Sequence, residues 1–583
     1  MIFRYFRKID WLLLAVTVVL IFIQVYLEIE IPGYMNRITT IMTTGGTSEE
    51  VMQEGVWMIG CAFGSLVTAV IVVAIGAYVG TNIGMAMRRQ QFENVERFSA
   101  SELNRFSIYS LITRSTNDVN QVQLAFIIGM MVVIRAPMMA AWALMKISTK
   151  NIEWSWATVV AVVAMMIFIL SVMKFVFPRF KRIQWLNDDV NRITKEGLNG
   201  IRVVHAYNAE GFQEKRFEEA NKTLTDTHLS ITRALAFMQP AMGAVMSMLT
   251  MAIYLLGAII INGIPTVQDK FAAFSDMIVF SSYAVQVIMS FMMLLVLFFI
   301  LPRALVAAKR IREVIDVVPE INDGGVRESP EGMEGKLSFR DVYFRYPGSP
   351  EDALVGVSFD IEKGETLAII GSTGSGKSTL VRMIPRFFDV TEGQILLDGV
   401  DIRDYDLDVL RRKVGYVPQK AMMFNGTIES NVNYGDTEDD RTSDDVKNAV
   451  SIAQGKEFIE KMDKQYQSII AEGGTNLSGG QKQRISIARA VCKRPEFYIF
   501  DDSFSALDYK TDRKLRSELK KETAGVTTII VAQRIGTIMD ADKILVLDEG
   551  AVVGMGTHEE LLRDCEVYRQ IAASQLTDEE LVR

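Results

Sequence analysis

Cysteine and histidine are scarce: three of each occur in 583 residues. Cys61, Cys492 and Cys565 lie far apart, with no CxxC pair and no metal-ligand spacing. That excludes a disulfide framework and a zinc site, and reads as reduced thiols facing a cytoplasm. A basic surplus is missing too. The 62 Lys and Arg are outnumbered by 70 Asp and Glu, a net charge of −8, so no nucleic-acid partner is expected. With only 13 prolines and 49% hydrophobic residues, chain-wide disorder is excluded. No small-residue cleavage site follows the first apolar run, which therefore reads as an uncleaved span.

What the chain has in abundance is apolar sequence. The mean hydropathy of +0.19 is high for so long a protein, and the length itself implies two or more domains. The composition changes near residue 310, from long charge-poor runs to short strands, Gly turns and charged helices. A span needs roughly 20 apolar residues to cross about 30 Å of hydrocarbon. Six runs qualify, predicted at about 11–30, 55–80, 124–146, 153–174, 234–262 and 274–302. Their cores are uncharged except in the third, which carries Arg135. An even number of spans puts both termini on one side. Arg4/Arg7/Lys8, Arg88/Arg89, Arg179/Lys181/Arg182 and Arg303/Lys309/Arg310 mark that side as cytoplasmic, with Lys146 and Lys150 on the other.

The inner connections, about 80–123 and 174–233, are long and helical in character, so the helices are expected to extend into the cytoplasm. Inner turns are placed near Thr113–Asp118 and His205–Gly211. Gly76 and Gly80 form a small-xxx-small pair suited to close helix contact. Methionines crowd spans three to six, among them Met130, Met139, Met165, Met242, Met251 and Met289. They fit either core filling or an adaptable apolar cavity. Arg135 and Gln286 are polar oddities. Arg135 is either a functional charge at membrane depth or a side chain snorkelling to the inner interface.

From Lys336 onward the pattern turns specific. The apolar strand Leu367–Ile370 is followed by Gly371, Ser372, Thr373, Gly374, Ser375, Gly376, Lys377, Ser378 and Thr379, then a helical run. This is GxxxxGK[ST] in its strand–loop–helix setting: backbone N–H groups wrap phosphates, Lys377 reaches the β- and γ-phosphates, and Ser378 ligates Mg²⁺. A second strand, Phe497–Phe500, ends in Asp501, placed to hold Mg²⁺ directly or through water.

Between them stands Leu477-Ser-Gly-Gly-Gln481, and with it the chain resembles the ATP-binding cassette (ABC) exporters in half-transporter form. The resemblance covers essentially the whole sequence. It implies that Tyr346 stacks on adenine, that Gln419 contacts Mg²⁺ and senses the membrane domain, and that Asp508 lies in the D-loop. It implies also that Ser478, Gly479, Gly480 and Gln481 are the nucleotide-binding signature, of which Ser478 and Gly480 touch the γ-phosphate held by an opposite cassette. Gly473 stands where an arginine is common in the family. The inner turns correspond to the family's coupling helices. The fold class expected is an all-α six-helix membrane domain, 1–315, a linker, 316–335, and an α/β P-loop nucleotide-binding domain, 336–583. The cofactors are ATP and Mg²⁺, and the cassette faces the cytoplasm from a bacterial plasma membrane.

Two positions depart from the family's hydrolytic pattern. Asp502 follows Asp501 where glutamate positions the attacking water, and Gln533 occupies the switch position where histidine is usual. The pattern resembles the degenerate-site subunit of heterodimeric multidrug exporters. The expected partners are therefore a non-identical half-transporter, the lipid bilayer and a hydrophobic small molecule. A lipid, peptide or siderophore cargo, or a slow homodimer, is the alternative.

Overall fold

The computed structural model describes residues 2–148, 152–435 and 441–576. Lys150 and part of the expected outer connection 146–153 lie outside the described residues. Two compact units are present: Met1–Asn94 with Tyr109–Val317, and Val95–Ile108 with Val318–Arg583.

The first unit is helical: α1 (Lys8–Thr44), α2 (Ser48–Glu96), α4 (Ile108–Thr113, after the short α3, Ala100–Arg105), a π-helical turn (Arg114–Asp118), α5 (Val119–Ser148), α6 (Ile152–Asn199), α7 (Ile201–Ala206), α8 (Glu210–Asn262) and α9 (Val267–Ile315). Among the described residues, six continuous helical stretches are long and apolar enough to cross a membrane, the third running from Ile108 to Ser148. At 1.5 Å per residue the 53 residues of α8 reach roughly 80 Å, far more than a bilayer requires. Buried Ile21, Val25, Met165, Met242, Leu249, Phe280 and Val287 form one apolar core across α1, α6, α8 and α9. Met248, Met251 and Met289 are exposed, so the methionines divide between filling and surface.

Close packing explains Gly76 and Gly80. A Cβ on Gly76 would lie 3.0 Å from Met130 and one on Gly80 2.5 Å from Ile127, both on α5. Arg135 has a partner that hydropathy did not reveal. Its Nη2 donates to both carboxylate oxygens of Glu28 at 2.8 Å, while Ser65 and Gln24 donate to Glu28 Oε1 at 3.1 Å. A paired charge at membrane depth is far cheaper than a lone one. Among the described residues, Gln286 keeps a buried Oε1 without a hydrogen-bond partner.

The first inner turn is displaced from its expected place. It falls between α2 and α4, not at Thr113–Asp118, which winds as a π turn. Ser99 caps α3 in a capping box with Glu102 and so stops the preceding helix. Arg114 and Asp118, polar enough to suggest a loop, are buried and ion-paired. The second turn, Gly200–Ala209 around α7, overlaps the expected His205–Gly211.

Among the described residues, the second unit holds three sheets. β1 (Leu337–Phe344), β2 (Leu354–Ile361), β4 (Glu392–Leu397) and β5 (Val400–Asp401) run in the order β2-β1-β4-β5 and are antiparallel. β3 (Thr366–Gly371), β6 (Val414–Val417), β9 (Phe497–Asp501), β10 (Thr527–Val531), β11 (Lys543–Asp548) and β12 (Ala551–Gly556) form the larger sheet, in the order β12-β11-β3-β10-β9-β6. β7 (Gly426–Thr427) pairs with β8 (Ile469–Ile470). Within the large sheet β3 is parallel to both neighbours, and Leu367–Ile370 are fully buried, as a central parallel strand requires. Val95–Ile108 groups with this unit: Glu102 accepts the Glu320 N–H at 2.7 Å.

Candidate functional site

The carboxyl ends of β3 and β9 converge, and the loops leaving them form the site. Gly371 must be glycine, since a Cβ there would lie 2.0 Å from the Leu547 carbonyl oxygen. Gly376, at φ +96°, turns the chain into α10 (Lys377–Met383). Lys377 folds back into the loop, donating to the Gly371 carbonyl at 2.9 Å and the Ser372 carbonyl at 2.6 Å. Burial holds its ammonium pKa below the usual lysine value, opposed by Asp502 and Asp501. The loop's carbonyls thus hold the ammonium where a phosphate would compete for it. An alanine at Gly376 adds left-handed strain of about 1–2 kcal/mol and a Cβ 2.7 Å from the Ala353 carbonyl. Gly376→Ala is expected to weaken ATP binding about tenfold, near 1.4 kcal/mol, by titration calorimetry. Unchanged affinity would contradict the phosphate role.

Ser378 Oγ donates to Asp501 Oδ1 at 2.7 Å, and Tyr416 OH donates to Asp501 Oδ2 at 3.0 Å. Asp501 is fully buried, and Arg382 stands 4.0 Å from it. Asp502, at φ +48°, turns away from the strand. Its Oδ2 accepts from Gln419 Nε2 at 3.1 Å and from Gln533 Nε2 at 2.8 Å. Burial, the largest influence, raises the Asp502 carboxyl pKa above the usual carboxylate value. Tyr346 reaches the loop through a 3.0 Å hydrogen bond to Thr379 Oγ1, its ring packed against Phe344 and Phe388. Ser378, Asp501 and Gln419 offer hard oxygen donors. Among the described residues no cluster of three His, Cys, Asp or Glu could hold a metal alone. Such an incomplete oxygen set suits Mg²⁺, which keeps waters and takes phosphate oxygens.

Ser478 is elsewhere. It caps the helix Gly479–Lys493 in a capping box with Gln481, and a Cβ on Gly480 would lie 3.3 Å from the Ala506 carbonyl. Asp508 caps Tyr509–Glu522 by accepting the Thr511 N–H. Among the described residues no hydrogen bond joins Ser478–Gln481 to the phosphate loop. Sequence reasoning missed Tyr416, Arg382 and Gln575. Gln575 brackets the Gln533 turn, donating to the Gln533 carbonyl at 2.8 Å and accepting the Ile535 N–H at 2.9 Å.

A cassette of this construction preceded by six long apolar helices defines an ATP-driven membrane transporter. Residues 354–505 match the ABC transporter family and 14–291 the ABC transporter transmembrane region. The chain is 34% identical over 565 residues to an uncharacterized ABC transporter ATP-binding protein, MT1311, of Mycobacterium tuberculosis, covering 97% of this chain and 96% of that one. It is 31% identical over 521 residues to an ATP-dependent lipid A-core flippase of Aromatoleum aromaticum, covering 87% and 84%. The fold matches a solved bacterial Atm1-family ABC exporter with ATP bound, at TM-score 0.81 and 24% identity, over 98% of this chain and 99% of that one. The chain belongs to the ABC transporter family. It is a multi-pass half-transporter of exporter fold with a cytoplasmic nucleotide-binding domain, an ATPase coupled to transport.

Proposed function

We propose that the chain is the degenerate-site subunit of a heterodimeric exporter for hydrophobic or amphipathic compounds. Its own Lys377–Asp501 pocket binds ATP with little hydrolysis, and its Ser478–Gln481 turn completes the hydrolytic site of a different half-transporter. Tyr346 supports adenine, and Ser378, Gln419 and Asp501 hold Mg²⁺, which neutralises developing phosphate charge. Closure of the two cassettes on ATP and reopening after hydrolysis drive alternating access.

The observation that carries the reading is the pair Asp502 and Gln533. An aspartate sets the carboxylate back by one C–C bond, about 1.5 Å. A misplacement near 1 Å costs about 10²-fold in rate, roughly 2.7 kcal/mol. Gln419 and Gln533 also spend their amides on the same Asp502 oxygen, and an amide at 533 carries no positive charge. Purified alone in lipid, the chain is expected to be photolabelled by 8-azido-ATP yet to turn over little ATP. Brisk hydrolysis by a proven homodimer overturns the proposal.

A lipid cargo is the second reading, favoured by the relatives named lipid A-core flippases. The two cargoes separate in inverted vesicles, where a dye exporter accumulates dye and a flippase moves a labelled lipid between leaflets.

A further inference from the structure

The inner ends of α5 and α9 are joined by an arrangement that the ATP site does not explain. Arg114 and Asp118, at the two ends of the π turn, are 9% and 5% exposed. The Arg114 guanidinium donates to the Arg310 carbonyl at 2.6 Å and pairs with Glu313 at 3.1 Å. Asp118 Oδ2 lies 3.3 Å from Arg310 Nε, an ion pair without hydrogen-bond alignment. Asn94 of α2 donates to the Ile315 carbonyl at 2.8 Å, closing the last turn of α9.

Charges therefore alternate across the contact, Arg then Asp on one helix, Arg then Glu on the other. A slip of one turn, about 5.4 Å, brings Asp118 opposite Glu313 in one direction and Arg114 opposite Lys309 in the other. Like charges meet either way, in a setting where buried charge tolerates no loss of partner. The π turn is a second, independent sign: such turns cost helical regularity and concentrate at functional positions. Past Ile315, α9 continues in sequence through residues 316–336 to β1.

We propose that Arg114, Asp118, Arg310 and Glu313 form a register clamp that makes α5 and α9 move as one body when the cassette binds ATP. They are positioning residues, acting on the coupling of ATP to transport and not on ATP chemistry. The clamp stands whether the partner chain is identical or not.

The test uses the full-length assembled transporter in nanodiscs, on a Cys61→Ser background, with spin labels at Thr47→Cys and Gly263→Cys on the outer turns. Asp118→Arg or Arg310→Asp is expected to leave ATP binding at its starting affinity while the ATP-driven change in label separation falls about tenfold. The double variant Asp118→Arg/Arg310→Asp restores it. A full ATP response in both single variants overturns the clamp. So does a double variant that assembles in the bilayer but responds no better than the singles. If the reversals do not assemble, Asp118→Asn and Glu313→Gln replace them: a lost ATP response supports the clamp and an intact one overturns it. Failure here leaves the degenerate-site reading untouched, because that reading is measured by turnover.

Discussion

The double substitution Asp502→Glu/Gln533→His is expected to raise hydrolysis at the chain's own site about 10²-fold, the factor a misplaced carboxylate costs. The side chain at 502 accepts amides from 419 and 533 on one oxygen. Lengthening it by one methylene carries that oxygen farther from the backbone, and an imidazole at 533 supplies a donor that can also carry charge. The substitutions share an atom, so their effects are not additive. Asp502→Glu alone is expected to give part of the gain and Gln533→His alone very little. Position 502 has a left-handed backbone, which aspartate tolerates better than glutamate. That strain exists in ground and transition states alike, so it lowers stability without raising the barrier. Single-turnover hydrolysis in the assembled transporter, with the partner's site disabled, measures the gain. An unchanged rate refutes the assigned cause of degeneracy.

The features legible in sequence are those written in contiguous residues. Six apolar runs announce six membrane helices because a bilayer demands unbroken length, and the phosphate loop is nine consecutive residues whose spacing is its mechanism. Contacts between distant positions were not legible. Glu28 and Arg135 are 107 positions apart, and hydropathy registers each as an isolated blemish. Gln575 reaches Gln533 across 42 positions from a helix end that has no motif. Thr113–Asp118 misled for the same reason: Arg114 and Asp118 look solvated until α9 supplies Arg310 and Glu313. Ser99 and Glu102, which do mark the turn, carry the ordinary signature of a helix start and lie in the sequence unremarked beside the longer polar stretch.

Ser478→Trp is expected to remove nearly all ATP turnover by the assembled transporter, about 10²–10³-fold, because the indole fills the space beside the helix tip and keeps the tip's N–H donors from the charged transition state. Ser478 opens the helix Gly479–Lys493, and its Oγ already accepts the Gln481 N–H at 3.3 Å. The tip of that helix is therefore a rigid set of N–H groups, the arrangement suited to an anion. In the proposed pair the tip, which shares no hydrogen bond with its own phosphate loop among the described residues, acts on nucleotide held by another chain. Ser478→Ala separates the two roles: it forfeits the cap, about 1 kcal/mol, while leaving room for phosphate, so its rate loss is expected to be much the smaller. The decisive comparison is with Lys377→Ala. In an asymmetric pair, Ser478→Trp disables the hydrolytic site and Lys377→Ala only the slow one, so turnover falls far more in the first. Thermal melting in detergent establishes that both variants are folded. Equal losses would show two equivalent sites and return the chain to a symmetric dimer.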